Sequence, residues 1–298
     1  MLCHLCSSNT VYKKFSLKQF DVLQCKNCNL AFLSQIPSET FLKNLYSSDY
    51  YQGREEYYFN NLITNPERGK ITGNIESFSA GLKKLNSFKR EKGRLLDVGC
   101  GLGIFLSMAK MDGWETCGVD ISAYAARYAR EKFDLEVYSN GRLEEVSFPS
   151  ESFDVITLWD SLEHFSDPLV QFKEIHRILK SDGIIMLDTP NESSLLRVLA
   201  KYLYMITGRI FTYPITKLYH QYHLYYYNSV AIETLLRNGG FKIVSTERKT
   251  IPIIKARGSF FEKGLVKCLS YLERFLGMEY ELLVVAKKGA NSNDKKVE

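Results

Sequence analysis

The stretch Arg94-Leu95-Leu96-Asp97-Val98-Gly99-Cys100-Gly101-Leu102-Gly103 constrains the fold more than any other part of the chain. A short apolar strand pattern ends in three alternate glycines, and a helix pattern opens at Ile104. Glycine at such a turn lets backbone approach a bound molecule, and the helix start offers unpaired N–H groups. A second acid, Asp120, ends the next strand, 21 residues beyond Gly99. An acid at that place grips ribose hydroxyls in nucleotide-binding parallel sheets. The glycine spacing is GxGxG and departs from the GxGxxG of dinucleotide enzymes.

From Gly93 onward strand and helix patterns alternate. Strands are expected at residues 94–98, 116–121, 136–139, 153–159, 183–188, 241–246 and 279–287. Ser122 is expected to cap a helix carrying Tyr124, Ala125, Tyr128, Ala129 and Phe133. Asp167-Pro168 opens a helix repeating Leu169, Phe172, Ile175, Ile178 and Leu179, with Gly183 as its stop. Ser229 is expected to cap a helix that closes at Asn238-Gly239, and a last helix lies around 265–276. This order predicts an α/β fold, doubly wound around a mostly parallel, seven-stranded sheet.

Three further segments flank or interrupt that core. Residues 1–35 are polar and cysteine-punctuated. Residues 36–92 form a tyrosine-rich connector and an amphipathic helix on Ile71, Ile75, Phe78, Leu82 and Leu85. The main domain, 93–298, carries an aromatic insertion at 191–228. The 298 residues are 45% apolar and 24% charged, which excludes global disorder. A net charge of +5, spread along the chain, permits an anionic partner but lacks the basic stripe of a nucleic-acid binder. Met1-Leu2-Cys3-His4 does not open a secretory leader. The most apolar stretch, 195–206, is broken by Arg197 and Lys201 and falls short of the about 20 residues a membrane span needs. A cytoplasmic protein is expected.

Cys3-x-x-Cys6 and Cys25-x-x-Cys28, with 18 residues between the pairs, have the spacing of a four-cysteine zinc site. A segment so small cannot hold itself together without a staple. Four thiolates leave no open coordination position, so the zinc is expected to be structural, with His4 a bystander. Cys100, Cys117 and Cys268 read as small core hydrophobes.

With Asp97 in front, the glycine run resembles motif I of the class I S-adenosylmethionine (SAM)-dependent methyltransferases. Gly118-Val119-Asp120-Ile121-Ser122 is similar to that family's second motif, and Phe153-Asp154-Val155-Ile156-Thr157-Leu158 to its fourth strand. Leu179-Lys180-Ser181-Asp182-Gly183, followed by Ile184-Ile185-Met186, is similar to its fifth-strand entry. The resemblance covers most of residues 93–298 and implies a Rossmann-like methyltransferase that uses SAM. It implies that Asp97, Gly99, Cys100, Gly101 and Gly103 cradle the methionine part, that Asp120 binds the ribose and that Ile121 packs on adenine. Arg142 stands where the family often has an acid near the adenine amine, so a backbone contact at Leu143 is expected instead. Trp159 and Asp160 complete the cofactor set.

Trp159-Asp160-Ser161-Leu162-Glu163-His164 resembles the E-x-x-E-H turn of ubiquinone-type O-methyltransferases, with Asp160 replacing the first Glu. These acids and His164 either line the donor pocket, share a divalent cation or polarise a hydroxyl. In this family a histidine followed by aromatics borders the acceptor cavity, and here Tyr219 to Asn228 supplies one. His223 is the first choice as general base, followed by His220, Tyr222 and His164; a packed aromatic lid is the alternative. Tyr46, Tyr50 and Tyr51 either close over the donor or pack on the surface. The amphipathic insertion suits a lid first, a dimer contact second and membrane-surface docking third.

The resemblance implies a small-molecule acceptor, such as a hydroxylated metabolite or sugar nucleotide, methylated at oxygen or carbon. Some sugar C-methyltransferases carry a similar N-terminal zinc module. One alternative is an RNA-modifying methyltransferase that grips nucleic acid with the ribbon. Against it, the ribbon's cations are only Lys13, Lys14, Lys18 and Lys26, and the Asn/Asp-Pro-Pro-Tyr/Phe turn of amine methylation is absent. A non-catalytic SAM-binding protein is the other.

Overall fold

The computed structural model describes residues 1–46, 48–51, 73–140, 142–250 and 260–289. Ile71, expected on the connector helix, lies outside them; the helix spans Gly73–Phe88. The strands among the described residues are β1 Val11–Ser16, β2 Asp21–Cys25, β3 Ala31–Leu33, β4 Arg94–Val98, β5 Glu115–Asp120 and β6 Glu136–Ser139. They continue as β7 Phe153–Trp159, β8 Leu179–Pro190, β9 Tyr225–Tyr226, β10 Phe241–Lys249 and β11 Glu281–Lys288. Seven form a mixed sheet in the order β10-β11-β8-β7-β4-β5-β6, the doubly wound α/β fold expected. The chain makes two compact units, one of Pro37–Trp159 and Arg177–Met186, the other of Met1–Ile36, Asp160–His176 and Leu187–Glu298.

In the first unit β4 is central, parallel to β5 on one side and to β7 on the other, with β6 parallel to β5. Strand order therefore reverses between β4 and β7, where open α/β sheets bind ligands. Leu95, Leu96, Val155, Ile156 and Leu158 are fully buried, as strands covered on both faces require. Helix Ile104–Met111 starts from Gly103 and buries Ile104, Phe105, Leu106 and Ala109. Ser122 caps helix Ala123–Phe133 as expected, its hydroxyl accepting from the Ala125 N–H at 3.3 Å.

Asp167 caps helix Pro168–Ile178, its Oδ1 accepting from the Val170 N–H at 3.1 Å. The helix does not run to Gly183: it ends at Ile178, and β8 begins at Leu179. The Leu179 side chain folds under Gly183, where an added Cβ would sit 2.7 Å from it. The helix after the insertion is capped by Asn228 and not by Ser229, because Asn228 Oδ1 accepts from the Ala231 N–H at 2.9 Å. Strand β10 and helix Phe260–Leu276 are both longer than their patterns suggest.

The second unit holds a four-stranded sheet, β1-β2-β3-β9. Its last strand comes from the insertion: Ala31 pairs with Tyr226 and Phe32 with Tyr225, antiparallel. The Leu33 N–H donates to the Leu224 carbonyl at 3.0 Å. Val22, Leu30 and Phe32 are fully buried. Phe15 packs against Tyr204 and Tyr219, at ring distances of 5.5 and 4.9 Å. Aromatic contact thus supplies the burial that so short a cysteine segment lacks.

Candidate functional site

The glycine loop sits at the carboxyl end of β4. Gly99, Gly101 and Gly103 have φ values of 80°, 52° and 78°, left-handed conformations that suit glycine. The Gly99 N–H donates to the Val119 carbonyl at 2.8 Å, which pins the loop to the end of β5. A Cβ on Gly103 would lie 2.8 Å from Ala129 Cβ, so that glycine serves close packing. A Cβ on Gly101 would meet nothing within 4 Å; its open side is free for a ligand.

Two buried acids flank the loop. Thr157 on β7 donates its hydroxyl to Asp97 Oδ1 at 2.7 Å, across the point where strand order reverses. Burial pushes Asp97 up to about 7, opposed by that hydrogen bond and assisted by the charge of Asp120. Asp120 accepts from the Gly101 N–H at 2.7 Å and the Ser122 N–H at 2.8 Å. Burial raises its pKa too, against those two bonds. Each carboxylate oxygen keeps a lone pair for an incoming hydroxyl. Burial likewise holds the Cys100 thiol far above its ordinary range, so it is inert packing in the loop.

Tyr51 packs against Leu102, Ile104 and Ala125, with Tyr50 and Tyr124 beside it. The Ser122 hydroxyl donates to the Tyr46 carbonyl at 2.5 Å, which ties the tyrosine segment to the end of β5. Leu143 is buried at the start of a short 3-10 turn, and Ile121 is half-buried. The Trp159 ring packs between Phe78 and Phe105, at 5.4 and 4.9 Å, so a ligand contact from this residue falls to its backbone.

The second unit gathers the other candidates. Glu163 is buried, and Thr189 donates to its Oε2 at 2.9 Å. Its Oε1 has no hydrogen-bond partner and lies 3.8 Å from His223 Nε2. His164 Nδ1 is 2.6 Å from the Tyr222 carbonyl, so that nitrogen carries a hydrogen. The His223 ring meets His164 at 4.8 Å and His220 at 4.2 Å. The Tyr226 hydroxyl both accepts from the His220 N–H and donates to the His220 carbonyl, each at 3.0 Å. Burial drives Glu163 up to about 8, His220 down to about 4, and His164 and His223 down as well. The cluster is therefore uncharged near neutrality. It offers one carboxylate oxygen and two imidazole nitrogens within 4.8 Å of one another, an arrangement able to relay a proton or hold a divalent cation. Asp160 is exposed with φ of 48°, and its N–H donates to the Asp188 carbonyl at 3.0 Å.

Cys3, Cys6, Cys25 and Cys28 converge, with sulfurs 3.5 Å apart for Cys3–Cys28 and 3.7 Å for Cys6–Cys25. A tetrahedron of about 2.3 Å zinc–sulfur bonds has edges of about 3.8 Å, so the four thiols fit one ion. Without a cation they cannot all ionise: the thiol of Cys28 draws Cys3 down to about 5, and Cys3 in turn drives Cys28 up. His4 stays outside, its Nδ1 2.8 Å from the Tyr225 hydroxyl. Cys100 and Cys117 are buried as expected, whereas Cys268 is exposed.

Two features escaped the sequence reading. Thr157 is a lone hydroxyl in an apolar strand, a signal that could have marked it. Arg197 is fully buried, with its Nη1 3.2 Å from Glu192 Oε2 and its guanidinium 4.7 Å from the Tyr219 ring centre. Glu192 also accepts from the Tyr219 hydroxyl at 2.6 Å and pairs with Lys14 of β1.

A glycine-rich turn at the reversal point of a doubly wound sheet, with an acid at the end of each adjoining strand, defines a nucleoside-binding α/β protein. Residues 73–246 match the methyltransferase domain family, and the chain belongs to it. It is similar to the ubiquinone biosynthesis O-methyltransferase of Haemophilus ducreyi, 29% identical over 124 residues, or 39% of this chain and 50% of that protein. It is also similar to the demethylmenaquinone methyltransferase of Chlorobaculum parvum, 33% identical over 98 residues, or 33% of this chain and 41% of that protein. The chain thus spans about half the length, or less, of these curated relatives. Its fold is similar to that of magnesium protoporphyrin IX methyltransferase from Synechocystis with bound SAH. That likeness has a TM-score of 0.55 at 15% identity and covers 84% of this chain and 99% of the other.

Proposed function

We propose that the protein is a SAM-dependent methyltransferase acting on a small hydroxylated acceptor, such as a sugar nucleotide, at oxygen or carbon. The observation that carries this reading is the pair of buried acids, Asp97 and Asp120, around three left-handed glycines at the strand-order reversal. The relatives named for ubiquinone biosynthesis and demethylmenaquinone methylation support a small-molecule acceptor.

When bound, SAM supplies an electrophilic methyl group on a sulfonium. Asp97 and the loop N–H groups hold the amino-acid end, Asp120 accepts from the ribose hydroxyls, Ile121 packs on the adenine and the Leu143 backbone reads its edge. Gly101 leaves the approach open. His223 takes the proton that the acceptor gives up, with His220, Tyr222 and His164 around it. The base form suits the uncharged state that burial imposes on His223. Cys3, Cys6, Cys25 and Cys28 hold a structural zinc.

A positioned base contributes about 10²–10⁴-fold. His223→Gln is therefore expected to cut formation of S-adenosylhomocysteine by that factor with a metabolite extract as acceptor source, while SAM affinity stays constant by calorimetry. Unchanged turnover removes His223 as the base. Tight uptake of NAD with no heat from SAM or S-adenosylhomocysteine refutes the whole assignment.

A further inference from the structure

Helix Leu195–Ile206 carries large apolar side chains on two faces, one buried and one exposed. It buries Leu195, Arg197, Ala200 and Tyr204, and exposes Leu199, Tyr202, Leu203 and Ile206, which stand three, four and seven residues apart along another face. A helix that only covers a core keeps its apolar residues to the one inward stripe. The exposed side continues through Ile210, Phe211 and Tyr213, with Ile206 and Ile210 79% and 85% accessible. The Leu195 N–H donates to the Met278 carbonyl at 2.8 Å, which ties this helix to the end of Phe260–Leu276. That second helix exposes Tyr271, Leu272, Leu276 and Phe275, the last at 86%. So contiguous a run of exposed apolar side chains marks a contact surface.

Charge selects what covers it. The sequence has no acidic residue between Glu192 and Glu233, and both Glu192 and Glu273 are buried. Arg209, Lys217 and Arg274 are exposed among the apolar groups. A symmetric dimer through this face would bring those cations together with no exposed acid among the described residues of the two helices to offset them. We propose that this face docks on the surface of a bilayer containing anionic lipid. Leu199, Ile206, Ile210 and Phe275 enter the acyl boundary, and the cations meet the headgroups. Among the described residues no helix is long and apolar enough to cross a membrane, so the contact is interfacial. The docking stands independently of the proposed methyl transfer.

The test is co-sedimentation of the full chain with phosphatidylcholine vesicles, with and without about one third phosphatidylglycerol. The expected result is partition onto the anionic vesicles that weakens between about 0.1 M and about 0.5 M salt. Arg209→Gln is expected to lower partition about fivefold. Ile206→Ser with Ile210→Ser is expected to lower it more than about tenfold. Both isoleucines are exposed, so SAM affinity and melting temperature serve as folding controls and should not move. Failure to sediment, equal binding to neutral vesicles, or light scattering from a dimer that these substitutions dissociate would each overturn the proposal.

Discussion

Lowering the pH is expected to weaken SAM binding through Asp97. Its pKa in the free protein is pushed up to about 7 by burial. The donor's amino-acid end carries an α-ammonium, which pairs with a carboxylate and not with a carboxylic acid. Binding therefore favours the ionised form and releases a proton from whatever fraction of Asp97 is protonated. The sign follows: a raised acid pKa leaves the competent form depleted below about 7, so affinity falls as pH falls. At pH 7 about half of the sites are ionised, at pH 6 about one in eleven, and at pH 5 about one in a hundred. Affinity should drop about fivefold over the first interval and about tenfold over the second. Calorimetry at these pH values, in buffers of different ionisation enthalpy, reads both the affinity and the released proton. Asp97→Asn removes the titrating group and should bind weakly with most of this slope gone; what slope remains belongs to Asp120 and to the ligand. A wild-type affinity flat from pH 7 to pH 5, with no proton release, would refute the reasoning.

Removing the partner of the buried guanidinium should be costly: Glu192→Gln leaves Arg197 and Lys14 facing no counter-charge and is expected to lose about 3–5 kcal/mol in urea unfolding. Combining it with Arg197→Met should restore much of that loss. Gly103→Ala is expected to destabilise by about 2–5 kcal/mol, from a left-handed φ of 78° plus a clash with Ala129. Gly101→Ala, with open space beside it, should cost only about 1–2 kcal/mol of stability yet weaken SAM binding. Stripping metal with a chelator should lower amide hydrogen-exchange protection at Ala31–Leu33 and at Tyr225–Tyr226 together, because the two segments share one ladder. Loss confined to Ala31–Leu33 would contradict that pairing.

The glycine turn after β4 was legible because its geometry is local. Three glycines that need left-handed backbone and two acids at strand ends announce themselves in the order of residues. The cysteine cluster was legible for the same reason. What escaped depends on partners distant in sequence. The amphipathic rhythm of 195–206 was plain, but which face turns inward is decided by Glu192, Tyr219 and Tyr226, and they draw Arg197 inside. Asn228 and Ser229 are adjacent and both suit a helix cap, so only the backbone path chooses between them. Leu179 continues the apolar spacing of its helix, yet its side chain fills the space under Gly183 after the helix has ended. Strand β9 is two tyrosines long and has no alternation to read. Glu163 and His223 are far apart in sequence, and backbone bonds such as that from the Leu224 N–H to the Glu163 carbonyl at 2.8 Å bring their segments together.

The pairing of β3 with β9 has a consequence for how the protein is made. About 190 residues separate the two strands, and a ribosome adding about 5–20 residues per second needs roughly 10–40 s to cover that distance. Throughout that interval the amino-terminal thiols have emerged while the last strand of their sheet does not yet exist. Early capture of an ion would shield those sulfurs from oxidation and hold an open template on which the tyrosines of the late segment can anneal.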